Sequence, residues 1–331
     1  MSEGPILIIG AGAVGGYLAA HLARLSEPVL VLEPWAPNRE VIAARGLSVV
    51  EPSGDFTAPL RVIGDVEELP GAAPRLVILC TKLADAPAWV AALEACYRGD
   101  YLVTLNALAD LTLAEEIGSA RVMGCIVTGL FAHLVAPGEL HRYRQRMDGG
   151  AASFRLGETA GPISPRIRAL VELLSRVDHA EAVEDLPAAR WTKLVFNCMT
   201  SPLSALHGRP IRDLFLEAPL RAEMMQVALE VTAAADAAGV RLDPICGIDA
   251  ETWLGAQHDD AAAARLEAGL IRYGEKLDPT AISGMAQDLA RGRRTEVALV
   301  NGALVAQAVR LGLPCPANTA VITALERRFR G

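Results

Sequence analysis

The 331-residue sequence lacks what several broad protein classes require. It contains no run of Lys or Arg, only 5% of it is aromatic, and its 39 acidic residues outnumber 31 basic ones for a net charge of −8. A nucleic-acid surface needs clustered positive charge and stacking side chains, so no nucleic-acid partner is expected. No segment stays apolar over the roughly 20 residues that span a bilayer, so no membrane partner is expected either. The apolar N-terminal stretch is not read as a secretory leader, because Glu3 stands where a positive flank belongs and glycines interrupt the run. Six cysteines, Cys80, Cys96, Cys125, Cys198, Cys246 and Cys315, occur without a Cys-x-x-Cys pair. That argues against both a zinc site and a disulfide framework, so no metal is expected and a reducing cytoplasm fits. Repeats and low-complexity linkers are absent, and the length exceeds what one core usually serves, which makes two domains the expectation.

What is present begins at the N-terminus. Ile6-Leu7-Ile8-Ile9 runs into Gly10-Ala11-Gly12-Ala13-Val14-Gly15-Gly16 and then a helical pattern from Tyr17 to Leu25. A strand, a glycine turn and a helix N-terminus form a cradle for a pyrophosphate. Gly10 permits the tight turn, Gly12 lets the backbone approach the phosphates, and Gly15 lets helix and strand pack closely. The N–H groups of the first helical turn, at Ala13 and Val14, then face the anion. A bare Gly-x-Gly-x-x-Gly also occurs in ordinary βα turns; the strand before it and the helix after it favour the dinucleotide reading.

Glu33 ends the second apolar strand, Val29-Leu30-Val31-Leu32. It lies about 20 residues past the glycines, where an acid accepts hydrogen bonds from a ribose 2′-hydroxyl. A carboxylate there repels a 2′-phosphate, Pro34 cannot grip one, and Arg39 is the only cation nearby. NAD is therefore favoured, with NADP as the alternative; the plainer reading of Glu33 is a solvated strand end.

Continuous apolar runs at Leu76–Cys80, Tyr101–Leu105 and Arg121–Val127, each after a helical segment, predict a parallel, doubly wound sheet. Glu139–Tyr143 and Ala152–Gly157 read as shorter strands, a hairpin extending the sheet edge, and a helix is expected over Pro165–Arg176. From Asp185 onward the pattern is helical, with Ala/Leu-rich stretches at Pro219–Ala238, Asp259–Leu277, Thr295–Leu311 and Asn318–Phe329. The expected fold class is thus α/β, with an N-terminal Rossmann domain over residues 1–184 and an all-α C-terminal substrate and dimerisation domain over 185–331. Such a junction predicts a cleft beside the carboxyl ends of the strands.

Within Trp191–Ser201, the polar groups Lys193, Asn197 and Ser201 recur every four residues and form one stripe among apolar neighbours. A lone helical lysine is most often a solvated charge, but a polar stripe on so apolar a helix must face water or a site. A second cluster, Arg293-Arg294-Thr295-Glu296, is explained in the plain reading by Thr295 near a helix cap and Glu296 suiting the dipole. The functional reading makes Glu296 a substrate contact or the partner of Lys193.

With these residues the chain resembles the ketopantoate reductase family over nearly its whole length. The matching elements are Gly10–Gly16, Lys82 after the third strand, Asn106 after the fourth, Trp191-Thr192-Lys193-Leu194-Val195-Phe196-Asn197, Arg293-Arg294-Thr295-Glu296 and Asn301-Gly302. The resemblance implies an oxidoreductase that moves hydride between a nicotinamide and C2 of a 2-keto or 2-hydroxy acid. Lys193 resembles the catalytic general acid, Glu296 the acid that bonds the substrate hydroxyl and steadies the lysine, Asn197 and Asn106 the orienting amides, and Lys82 a cofactor-side lysine. The family amide one turn after Asn197 is Ser201 here. The substrate serine expected just before Met285 is replaced by Gly284, with Ser283 one position earlier. Asn106-Ala107-Leu108-Ala109-Asp110 stands where relatives carry Asn-Gly-Gly, and the added Cβ atoms are expected to reshape the nicotinamide side. Pro34 replaces the arginine that grips the NADP phosphate.

Ketopantoate is the default substrate on this reading. The alternatives are an NAD-dependent dehydrogenase of another hydroxy acid or secondary alcohol, with Phe131, His133, Met199 and Met285 shaping the pocket, and a non-catalytic dinucleotide-sensing regulator. The retained Lys193, Asn197 and Glu296 argue against the regulator. A cytoplasmic homodimer acting on a small molecule is expected.

Overall fold

A computed structural model describes residues 4–69, 71, 73–145 and 152–330. The chain divides into two compact units, Met1–Leu186 and Pro187–Gly331.

The first unit opens β1 (Ile6–Ile9), α1 (Ala13–Arg24), β2 (Val29–Leu32), α2 (Ala36–Arg45), β3 (Leu47–Val50), β4 (Phe56–Ala58) and β5 (Arg61–Ile63). It continues β6 (Leu76–Leu79), α3 (Ala86–Glu94), β7 (Tyr101–Val103), α4 (Ala109–Ile117), β8 (Val122–Val127), β9 (Ala132–Ala136), β10 (Glu139–Arg142), β11 (Phe154–Glu158), α5 (Pro165–Ser175) and β12 (Ala180–Ala182). Eight strands form one sheet in the order β12-β11-β8-β7-β6-β1-β2-β5. From β8 to β5 every pairing is parallel, and β11 runs antiparallel to β8.

The unbroken apolar runs follow from covering both faces of this sheet. Because side chains alternate, Ile6 and Ile8 of β1 enter a core with Tyr17, Leu18 and Leu22 of α1 and Ile167, Leu170 and Leu174 of α5. Leu7 and Ile9 point the other way, into a core with Val90 and Leu93 of α3 and Leu113 of α4.

The expected edge hairpin is only half present. β11 does extend the large sheet, but β10 belongs to a second, four-stranded sheet ordered β4-β3-β10-β9. The reason is local: Pro137-Gly138, with Gly138 at φ 71°, folds β9 back onto β10, so the nearest partner precedes β10. Leu47, Val49 and Leu140 of this sheet share the core of α1. Arg142, at the end of β10, is buried against Asp178 and bonds the Tyr17 hydroxyl, which pins the second sheet to the first.

The second unit is helical: α6 (Leu186–His207), which enters it from the end of the first, then α7 (Ile211–Leu216), α8 (Ala218–Ala237), α9 (Ala250–Gly255), α10 (Asp260–Gly274), α11 (Gly284–Ala290), α12 (Val297–Arg310) and α13 (Pro316–Arg330). Among the described residues no helix is long and apolar enough to cross a membrane, and no group of His, Cys, Asp or Glu is disposed to hold a metal ion.

Candidate functional site

At the carboxyl end of β1, each glycine meets a distinct steric demand. Gly10 sits at φ 91°, in the left-handed region, and a Cβ there would lie 3.0 Å from the Cys80 carbonyl oxygen. A Cβ on Gly15 would fall 1.9 Å from the Gly10 oxygen, so α1 can cross this close to β1 only without a side chain there. A Cβ on Gly12 would meet nothing within 4 Å. Gly12 is therefore not required for packing, and the space it leaves lies at the N-cap of α1, which no side chain caps. The N–H groups of Ala13, Val14 and Gly15 have no partner within the helix. Open room beside unpaired donors at the positive end of a helix fits a pyrophosphate. Cys80, behind the turn, is a neutral packing group: burial pushes its thiol up to about 12.

Glu33 is not a solvated strand end. It is buried, and its Oε2 accepts from the Ala11 N–H at 2.8 Å and from Asn38 Nδ2 at 2.9 Å, while Oε1 accepts from the Trp35 N–H at 2.9 Å. A carboxylate offers about four acceptor positions, so one stays available for a ribose hydroxyl. Arg39 donates instead to the carbonyl oxygens of Glu33 and Pro34.

Asn38 was not among the sequence candidates, yet it is fully buried. It donates to Ala11 O as well as to Glu33, and its Oδ1 accepts from the Gly138 N–H at 2.8 Å. One amide thus joins the glycine turn, the acid and the β9–β10 turn; in the sequence it looks like any small polar residue in a first helical turn. Lys82 and Asn106 are exposed, just past the carboxyl ends of β6 and β7. After Asn106 the chain turns inward: Ala107, at φ 56°, and Leu108 are both buried.

In the second unit, Lys193, Asn197 and Ser201 are all half-buried on α6, between the buried Leu194, Val195, Cys198 and Met199. The helical spacing therefore does set them along one accessible stripe. Glu296 is half-buried at the N-cap of α12, the place the plain reading gave to Thr295, and its carboxylate makes no capping hydrogen bond. Ser283 is different. It is buried at the N-cap of α11, where its hydroxyl accepts from the Ala286 N–H and donates to the Ser201 carbonyl oxygen. Capping and bracing α6 account for Ser283, where the sequence suggested a substrate contact. Met199 and Met285 are likewise buried, whereas Phe131, at φ 45°, and His133 are exposed.

Residues 6–153 match the family described as ketopantoate reductase PanE/ApbA, and residues 185–328 match its C-terminal counterpart. The 2-dehydropantoate 2-reductase of Mesorhizobium japonicum is 30% identical, over 97% of each chain. Among solved structures, the PanE/ApbA family ketopantoate reductase of Ralstonia eutropha JMP134 superposes with a TM-score of 0.77 at 26% identity, covering 98% of each chain. A D-mandelate dehydrogenase, solved with NADH and anilino(oxo)acetate, shares the fold at a TM-score of 0.77 and 18% identity, again over 98% of each chain.

Proposed function

Because the chain belongs to the ketopantoate reductase PanE/ApbA family, and so is a 2-dehydropantoate 2-reductase-like NAD(P)-dependent oxidoreductase, we propose that it moves hydride between NAD(H) and C2 of a 2-keto or 2-hydroxy acid, with ketopantoate and pantoate as the default pair. The observation that carries this reading is the half-buried polar stripe Lys193, Asn197 and Ser201 of α6, set between the buried Leu194, Val195, Cys198 and Met199.

Gly10, Gly12 and Gly15 shape the cradle, the N–H groups of Ala13 and Val14 hold the pyrophosphate, Glu33 takes the ribose hydroxyls, and Lys82 and Asn106 serve the cofactor from neighbouring strand ends. The nicotinamide, when bound, supplies or accepts the hydride. Lys193 gives a proton to the substrate oxygen as C2 is reduced and takes it back from the hydroxyl in the reverse direction. Asn197 and Ser201 orient the substrate, and Glu296 accepts a hydrogen bond from the hydroxyl and steadies the ammonium. The buried carboxylate of Glu33 and the engagement of Arg39 with backbone carbonyls support NAD over NADP. We place the enzyme in the cytoplasm as a homodimer, a state supported by exposed Leu299, Val309 and Phe329 on α12 and α13.

A second reading, a different or bulkier 2-hydroxy acid, is favoured by one observation. Ala107 holds a left-handed conformation where the family resemblance expects glycine, so its side chain and that of Leu108 add bulk to the loop after β7. Ketopantoate reduction with NADH and NADPH side by side, followed by a panel of aliphatic and aromatic 2-hydroxy acids, separates the readings. NADH is expected to give the higher kcat/KM, and a preference for NADPH refutes the Glu33 argument. Lys193→Ala should lower kcat about 10²–10⁴-fold while leaving NADH binding intact; unchanged turnover removes the lysine from the mechanism.

A further inference from the structure

Asn301-Gly302 matches the family pattern, but the proposed chemistry gives it no task. Its position supplies one. α6 contains Pro202, one residue after Ser201. Proline has no N–H, so the carbonyl of Cys198, four residues earlier, receives no helical hydrogen bond, and the ring crowds that same oxygen. Cys198 lies next to Asn197, in the middle of the polar stripe. A buried carbonyl left without a donor needs a replacement, and Asn301 provides it: its Nδ2 donates to Cys198 O at 3.4 Å.

The same Nδ2 donates to Asn318 Oδ1 at 2.9 Å, and Asn318 Nδ2 in turn donates to Val227 O and to Glu230 Oε2. Glu230 also accepts from the Ala317 and Asn318 N–H groups at the start of α13. Both asparagines are fully buried. Among the described residues Asn301 Oδ1 meets no donor, so this amide serves here as a donor. The result is a polar relay across four helices, from the broken rung of α6 through α12 and α13 to α8. Asn301 lies on α12, just over one turn past Glu296.

We infer that Asn301 is a positioning residue. By donating to the carbonyl that Pro202 strands, it fixes α6, which carries Lys193, Asn197 and Ser201, in register with α12, which begins at Glu296. This rests on the proposed roles of Lys193 and Glu296. The pairing of Asn301 with Pro202 is a separate claim with its own readout.

The test is a double-mutant cycle. Pro202→Ala restores an N–H able to bond Cys198 O, which makes the Asn301 donation redundant. In the Pro202 background, Asn301→Leu should lower kcat with the 2-keto acid at least tenfold, leave NADH affinity by fluorescence titration within about twofold, and speed amide exchange over residues 199–207 of α6. In the Pro202→Ala background the same substitution should cost less than about threefold in kcat and leave exchange in α6 nearly unchanged. Equal losses in both backgrounds overturn the inference, as does a loss of NADH affinity that parallels the loss of kcat. If Asn301→Leu alone does not fold, the double variant decides: folded and active supports the relay, folded and inactive refutes it. Retained turnover in Lys193→Ala would defeat the catalytic reading without touching the exchange result, so the two failures are distinguishable.

Discussion

At the amino edge of the eight-stranded sheet, opposite charges close on one another. Arg121 reaches both Glu94 carboxylate oxygens at 2.8 Å, the Tyr101 hydroxyl joins the same carboxylate, and Arg166 bridges Asp100 and Glu158. The glycine turn, at the carboxyl ends of β1 and β2, is arranged otherwise. Its buried carboxylate, Glu33, is held by neutral donors, two backbone N–H groups and one side-chain amide, and Lys82 and Asn106 stand exposed at neighbouring strand ends. Charge paired with charge is neutralised and contributes stability. A carboxylate fixed by neutral dipoles keeps its full charge, and so can accept from a hydroxyl and repel a phosphate. The amino edge braces the sheet, and the glycine turn keeps a buried carboxylate beside open room.

The widest gap between the two principles should come from two glycines in one turn. Gly15→Ala places a methyl 1.9 Å from the Gly10 oxygen, so α1 must move off β1, and NADH binding should be lost together with several degrees of Tm. Gly12→Ala meets no neighbour, so Tm should stay within about a degree while NADH affinity falls at least tenfold. A Gly12→Ala variant that binds NADH normally would show that the open room is not used. Next comes Glu33→Gln. It removes the charge, and turns an amide N–H₂ toward donors that now lack an acceptor, at a cost of about 1–3 kcal/mol. The NADH preference over NADPH in kcat/KM should shrink at least tenfold; an unchanged ratio would assign discrimination to other residues, Arg39 first.

How far these sites could be read beforehand depends on the range of the interaction that defines each. The glycine turn, β1, β6 and the α6 stripe were legible because their determinants are local: a period of two, a period of 3.6, and a fixed spacing of glycines. Glu33 was located, but not its partners, because the Asn38 link to Gly138 joins residues 100 positions apart. The same limit hid the pairing of β10 with β3 and the Arg142–Asp178 contact, whereas the hairpin of β9 with β10 follows from the local Pro137-Gly138 turn. Ser283 is ambiguous for another reason. A serine before a helix suits a cap as well as a ligand, and the structure adds its capping of α11 and its bond to Ser201 O. Pro202 was in plain view, but the carbonyl it strands becomes visible only when the donor from α12 is seen beside it.

The smallest expected effect is at the amino edge, where function should be indifferent. Arg121→Met should lower stability by about 1–2 kcal/mol at neutral pH, since this bidentate pair is partly buried, and leave kcat and NADH affinity within about twofold. The hydrogen bonds from Arg121, with a further one from Tyr101, hold the Glu94 carboxyl below its ordinary value of 4.5. In the folded protein Glu94 therefore stays ionised at a pH where the unfolded chain has begun to take up a proton. The stability this supplies is fully present above about 4.5 and drains away as the pH falls from there through the folded value. Thermal melts of wild type and Arg121→Met should accordingly be well separated at pH 7 and converge below 4.5. If the separation persists unchanged in acid, Arg121 acts through its packing on the Tyr101 ring, 5.6 Å away, and not through its charge.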